Sequence, residues 1–232
     1  MDLLSIQLRK EVHRYNADLV GFADLSHLPA DSRNHLPNGI SLMLKLNPQI
    51  LSQLEKGPTP AYYLEYQKLN RQLDEMAIKV ETYIKNLGYN AVANTTKLVR
   101  KDEKNQSTKL PHKTVATLAG LGWIGKTALL ITPEFGSAIR LTTVLTDMPL
   151  EVGKPMEVSK CGTCDACVTS CPVDAASGQV WEFGMDRDDL YDVYKCEYTT
   201  RELSEKAGLN ATLCGICIYK CPYSQAYIKR SI

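Results

Sequence analysis

Apolar residues recur at helical spacing between Leu3 and Tyr15, at Leu4, Leu8 and Val12, and that period predicts a helix. Asp18 to Asp24 (DLVGFAD) and Ile40 to Leu46 (ISLMLKL) are short apolar runs and predict strands. Pro58 and Pro60 precede a long helical stretch, Tyr62 to Leu87, which Gly88 terminates. Tyr62, Tyr63 and Tyr66 lie on that stretch and read as core. Tyr89 to Ala93 predicts a further strand, and Ile139 to Leu145 is rich in β-formers. Helices alternating with strands suggest an α/β or α+β sandwich. Lys97 to Lys113 is polar, with six Lys or Arg against Asp102 and Glu103, and reads as a solvated flap that can also meet an anionic partner.

Composition narrows the class. The chain has 232 residues, 44% apolar and 23% charged, which is globular composition. Its 27 basic and 26 acidic residues leave a net charge of +1, so net charge gives no argument for nucleic acid. No apolar stretch reaches the roughly 18–20 residues of a membrane helix. The first residues already carry Asp2, Arg9, Lys10 and Glu11, unlike a secretory signal. The expected compartment is the cytoplasm, where disulfides are rare. Yet the chain has 8 Cys, all beyond residue 160.

Those cysteines have a pattern. Cys161, Cys164, Cys167 and Cys171-Pro172 read C-x2-C-x2-C-x3-C-P. Cys196 follows, then Cys214, Cys217 and Cys221-Pro222 repeat the end of the motif. Three thiolates at two-residue gaps wrap one cubane, and the fourth Cys of such a run ligates the other cluster of a two-cluster protein. Cluster one then takes Cys161, Cys164, Cys167 and Cys221. Cluster two takes Cys171, Cys196, Cys214 and Cys217. Cys196 is recruited by arithmetic alone. Zinc sites and disulfides are the alternatives, but zinc favours C-x2-C pairs with nothing shared between them. Two clusters with full ligand sets predict electron transfer, and substrate chemistry must come from elsewhere.

Gly120 to Thr127, GLGWIGKT, satisfies both G-x-G-x-x-G and G-x-x-x-x-G-K-T. A dinucleotide site expects an acidic residue about 20 positions on, where Arg140 and then Asp147 stand. A P-loop core needs several βα units, and 33 residues separate Thr127 from Cys161. Two other readings remain. One is a tight glycine turn with Trp123 in the core. The other is a loop that lets backbone approach a flat cofactor, with Gly120, Gly122, Trp123 and Lys126 as contacts. His112, just before the loop, is a candidate proton donor or a structural histidine.

HKTVATLAGLGWIGKTALLITPEFGS, LTDMPLE, CGTCDACVTSCP and CGICIYKCP together resemble the epoxyqueuosine reductase family, which is related to the reductive dehalogenases. ADLVGFADL and GPTPAYYLEYQKLN are similar to it as well. The resemblance implies α+β architecture: a nitroreductase-like sandwich at residues 1–155 that binds a corrinoid, and a ferredoxin-like double 4Fe–4S module at 156–232. The clusters would deliver electrons to cobalamin, bound against the cluster module with Gly120 to Lys126 close by, for a reductive reaction on an unknown substrate. The alternative is an electron-transfer or corrinoid-activating protein with no substrate chemistry. Expected partners are a low-potential donor such as a ferredoxin or flavodoxin, and a small molecule or corrinoid protein.

Two departures bear on the substrate. The family's tRNA-acting members continue into a helical-repeat domain, whereas the sequence here reads as a short form. They also carry Asp-Ser-Ala-Pro before the glycine loop, where this chain has Gln106-Ser107-Thr108-Lys109. On these grounds tRNA is expected to be an unlikely partner. The glycine loop gives a direct test: calorimetry with Mg-ATP should detect no specific binding, and a micromolar site abolished by Lys126→Ala would restore the P-loop reading.

Overall fold

The runs ISLMLKL and Ile139–Leu145 become the inner strands of a four-stranded sheet, and burial on both faces explains why neither alternates cleanly. The computed structural model describes residues 2–95, 98, 102 and 104–232, so part of the polar Lys97–Lys113 stretch lies outside the described residues. The chain mixes helix and strand in an α+β arrangement and forms two compact units. The first contains Met1–Leu44, Leu69–Leu121 and Arg140–Met156, and the second Lys45–Lys68, Gly122–Ile139 and Glu157–Ile232. The last passage between them falls after Met156.

The elements follow in chain order. They begin with α1 (Leu3–Arg14), β1 (Leu19–Asp24), β2 (Asn38–Lys45), α2 (Pro48–Leu51), α3 (Pro60–Asn86) and β3 (Ala91–Asn94). Next come α4 (His112–Leu118), β4 (Trp123–Ile124), β5 (Leu130–Ile131) and β6 (Ile139–Thr146). The last are α5 (Ala166–Thr169), α6 (Arg187–Leu190), α7 (Val193–Lys206), α8 (Ile216–Lys220) and α9 (Pro222–Ser231). The expected helix ends and strands match these to within a few residues. Gly88 ends α3 with φ 89°, a left-handed stop that glycine adopts without steric cost.

In the first unit the sheet order is β1-β2-β6-β3, with β1 antiparallel to β2 and β3 antiparallel to β6. Leu8 and Val12 of α1, Phe22 of β1, Leu42 of β2 and Leu73 of α3 are fully or almost fully buried. Arg9 stacks its guanidinium 4.8 Å from the Phe22 ring and donates to the Val20 carbonyl at 2.7 Å. Helix α4 packs on β1. A Cβ at Gly39 would lie 2.8 Å from Val115 of α4, and one at Gly21 2.8 Å from Leu121, so both glycines set how closely the sheet is covered.

The expected flap gives way to helix at its end. Pro111 turns the chain, and His112 is the first residue of α4. Its Nδ1 lies 3.0 Å from Thr143 Oγ1 of β6. Burial depresses its pKa from the ordinary value to about 4, the Arg140 charge adds to this, and Asp74 opposes it. The imidazole therefore stands neutral at pH 7. Below about pH 6.5 the unfolded chain binds a proton that the folded chain refuses, so stability falls as pH drops and levels off below about pH 4. The difference between the two values is worth about 3 kcal/mol. Urea titrations should show His112→Asn losing this part of the acid destabilisation between about pH 6.5 and 4, and an unchanged pH profile would contradict the assignment.

Candidate metal centre

The eight cysteines lie in the second unit, and their backbone settings repeat. Gly162 follows Cys161 with φ 52°, and Gly215 follows Cys214 with φ 89°. In both C-G-x-C segments the chain enters left-handed space directly after the first thiol, which turns it sharply enough to bring back the next Cys. Cys164 N–H then donates to the Cys161 carbonyl at 3.0 Å. Cys167 sits on α5 and Cys217 on α8, and these two short helices pack together. Cys221 caps α9, with Pro222 at its first turn, where a missing N–H costs nothing.

Cys196 is held by another route. Asp192 caps α7 by accepting from the N–H groups of Tyr194 and Lys195 at 3.0 Å. The Asp192 N–H donates to the Ala175 carbonyl at 2.8 Å, and Ala176 bridges Tyr191. The start of α7 is thereby tied to the segment just after Cys171, and Cys196 follows one turn on. Cys171, Cys196, Cys214 and Cys217 line one cavity of about 130 Å³. Its apolar wall includes Leu129, Val173, Ala175, Ala176 and Ile216. The Ala175 N–H points at Cys171 Sγ, at 3.4 Å.

None of the eight is joined to another in a disulfide. Burial pushes Cys167 up to about 11, and the charges of Cys161, Cys221 and Cys164 add to it. Burial likewise pushes Cys196 up to about 11, with Cys171 and Cys214 adding to it. Cys214 is raised by burial and then Cys171. Cys217 is raised strongly by burial, then by Cys214, Cys196, Cys167 and Cys171. Cys167 thus feels Cys161, Cys164 and Cys221, Cys196 feels Cys171 and Cys214, and Cys217 feels Cys167 as well as Cys171, Cys196 and Cys214. Among the described residues no three His, Cys, Asp or Glu gather as tightly as a single metal ion requires. Four thiols at the corners of a cubane stand further apart, each on its own iron.

The glycine loop has an internal explanation. Gly120 N–H donates to the Thr117 carbonyl and Leu121 N–H to the Ala116 carbonyl, both at 3.0 Å. That pair of bonds is a Schellman cap, so Gly120 (φ 74°) ends helix α4. A nucleotide loop runs from strand to helix N-terminus. Here helix precedes glycine and the β4 strand follows, the reverse order. A Cβ at Gly120 would lie 2.5 Å from the Lys154 carbonyl oxygen, and one at Gly122 2.2 Å from that of Ile131. Both glycines are therefore required by the chain's approach to itself. Trp123 is 1% exposed, edge-on to Tyr223 at 5.1 Å, and its Nε1 is buried without a hydrogen-bond partner among the described residues. Lys126 is 6% exposed. Gly120 and Gly122 thus pack on their own chain, and Trp123 and Lys126 are buried.

Features outside the cysteine motifs escaped sequence reading. Tyr227 of α9 packs on Phe135 at 5.1 Å and donates to the Leu46 carbonyl at 2.9 Å. A Cβ at Gly136 would lie 2.4 Å from the Ser224 nitrogen. Nothing local announces these long-range contacts. Among the described residues no helix is long and apolar enough to cross a membrane.

Residues 160–224 match the family described as the 4Fe-4S double cluster binding domain. The chain is similar to the epoxyqueuosine reductase of Vibrio cholerae, 32% identical over 165 residues, covering 69% of this chain and 40% of that protein. It is also similar to that of Pseudomonas aeruginosa, 29% identical over 183 residues, covering 76% and 46%. It thus spans under half the length of these relatives. In fold, a reductive dehalogenase whose structure is described as suggesting a mechanism for B12-dependent dehalogenation matches with TM-score 0.72 and 16% identity, covering 97% of this chain and 32% of that one. An epoxyqueuosine reductase solved with an epoxyqueuosine-modified tRNA-Tyr stem loop matches with TM-score 0.65 and 16% identity, covering 97% and 66%.

The expectation that tRNA is an unlikely partner is corrected by these matches: the relatives are epoxyqueuosine reductases, and one similar fold carries a tRNA stem loop. That expectation rested on the short form and on Gln106-Ser107-Thr108-Lys109 standing where the family has Asp-Ser-Ala-Pro. With its paired cysteine motifs and these matches, the chain is a relative of the epoxyqueuosine reductases that carries a 4Fe-4S double cluster binding domain.

Proposed function

We propose that the chain is an iron–sulfur reductase of the epoxyqueuosine reductase type. Cys161, Cys164, Cys167 and Cys221 hold one 4Fe–4S cluster, and Cys171, Cys196, Cys214 and Cys217 hold the other. The observation that carries this reading is the cavity on which Cys171, Cys196, Cys214 and Cys217 converge from three separate segments. When bound, each cluster takes up and releases single electrons. The protein's part is to fix the thiols, keep water out with apolar walls, and aim N–H groups such as that of Ala175 at sulfur.

The first unit is read as the nitroreductase-like part, in keeping with its four-stranded sheet and flanking helices. A corrinoid as second cofactor rests on the fold likeness to the dehalogenase. The candidates to hold it, Gly120, Gly122, Trp123 and Lys126, lie in a turn that packs closely on its own chain. His112 is a neutral buried imidazole at pH 7 and not a cationic acid. The relatives' name and the tRNA-bound fold neighbour support epoxyqueuosine-modified tRNA as the substrate class.

Anaerobic reconstitution with iron and sulfide should load four irons into each of two clusters. Cys196→Ala should lose one cluster and retain the other by iron count and electron paramagnetic resonance. With a chemical reductant and cobalamin, the loaded protein should convert epoxyqueuosine-modified tRNA to the deoxygenated product. Two intact clusters in Cys196→Ala would overturn the ligand sets, and unchanged tRNA with both clusters reduced would overturn the substrate class.

A further inference from the structure

Thr199 lies on α7 one turn beyond Cys196, at the i+3 spacing that puts two side chains on one helix face. Both residues line the cavity shared by Cys171, Cys214 and Cys217. Thr199 is 7% exposed, and its Oγ1 is buried without a hydrogen-bond partner among the described residues. A helical threonine ordinarily satisfies its hydroxyl on a carbonyl of the preceding turn. The neighbouring Thr200 does so, donating to the Glu197 carbonyl at 2.8 Å. A buried hydroxyl left unsatisfied has given up its bonds to water and gained none in exchange, which destabilises the fold. In a cavity walled by Leu129, Val173 and Ile216, that cost has no return from the protein itself.

We propose that the Thr199 hydroxyl donates a hydrogen bond to a sulfur of the cluster held by Cys171, Cys196, Cys214 and Cys217, and so raises its reduction potential. The proposal rests on the ligand reading above. Reduction adds one electron to the cluster, and a donor aimed at sulfur stabilises the added negative charge. Hydrogen bonds to the sulfurs are among the factors that set the potential of such a cluster. Thr199 is in this sense a positioning and tuning residue. Sequence reading missed it, although its spacing three residues after Cys196 was visible.

The test is a redox titration of the full reconstituted chain, followed by electron paramagnetic resonance, for wild type, Thr199→Val and Thr199→Ser. Thr199→Val keeps the shape and removes the donor. It should move one cluster to a more negative potential by about a tenfold change in the reduction equilibrium, about 59 mV for one electron, and leave the other cluster in place. Thr199→Ser keeps the donor and should stay near wild type. Unchanged potentials in Thr199→Val with full iron content would overturn the proposal. If Thr199→Val loses iron, Thr199→Ala is titrated in its stead, and loss of iron there as well would assign the side chain to packing and overturn the tuning role. Cys196→Ala separates the two claims. If that variant keeps both clusters, the ligand reading fails; if it loses one while Thr199→Val leaves potentials unmoved, the tuning role alone fails.

Discussion

Thiols gathered in an apolar cavity lose their hydration and repel one another once ionised, and the second unit is arranged against that cost. Burial is the leading cause of the raised pKa values at Cys167, Cys196, Cys214 and Cys217, with neighbouring cysteines adding to it. Such a site does not hold its shape by thiol–thiol attraction. Surrounding backbone has to do it. The two left-handed glycines after Cys161 and Cys214, the packing of α5 on α8, and the Asp192 cap tied to Ala175 each fix one thiol against another.

The same economy explains the length of the elements. Helices α5 and α8 have 4 and 5 residues, too few to be stable alone. Their stability comes from the packing around the thiols. Helix α9 is anchored differently, through Tyr227 on Phe135 and the Leu46 carbonyl and through the close contact of Ser224 with Gly136. Segments 45–68 and 122–139 thereby join the cysteine-bearing segment in one unit, although long stretches of chain separate them.

The glycine loop illustrates how a pattern match can mislead when element order is ignored. GLGWIGKT satisfies two nucleotide fingerprints as a string. Its first glycine, however, caps the end of α4, so no helix N-terminus is presented to a phosphate. The close approaches it permits are to Lys154 and Ile131 of the same chain. Hydrogen-bond partners, and not residue identities, separate the two cases.

Some features were determined by the sequence alone because their causes are local. The period of Leu4, Leu8 and Val12 specifies α1, and Gly88 stops α3, because backbone geometry and side-chain spacing act within a turn or two. The cysteine spacing likewise specifies a double-cluster module, since thiolate spacing along the chain limits which irons each can reach. The tertiary structure decided what depends on distant partners. It fixed which segments accompany the cysteines, that Gly120 and Gly122 meet their own chain, and that His112 is buried beside Thr143. It also left the hydroxyl of Thr199, which lines the thiol cavity, buried without a hydrogen-bond partner among the described residues, while that of Thr200, one residue on, is satisfied by its own helix. Burial and hydrogen-bond satisfaction are properties of the packed chain, and no window of sequence contains them.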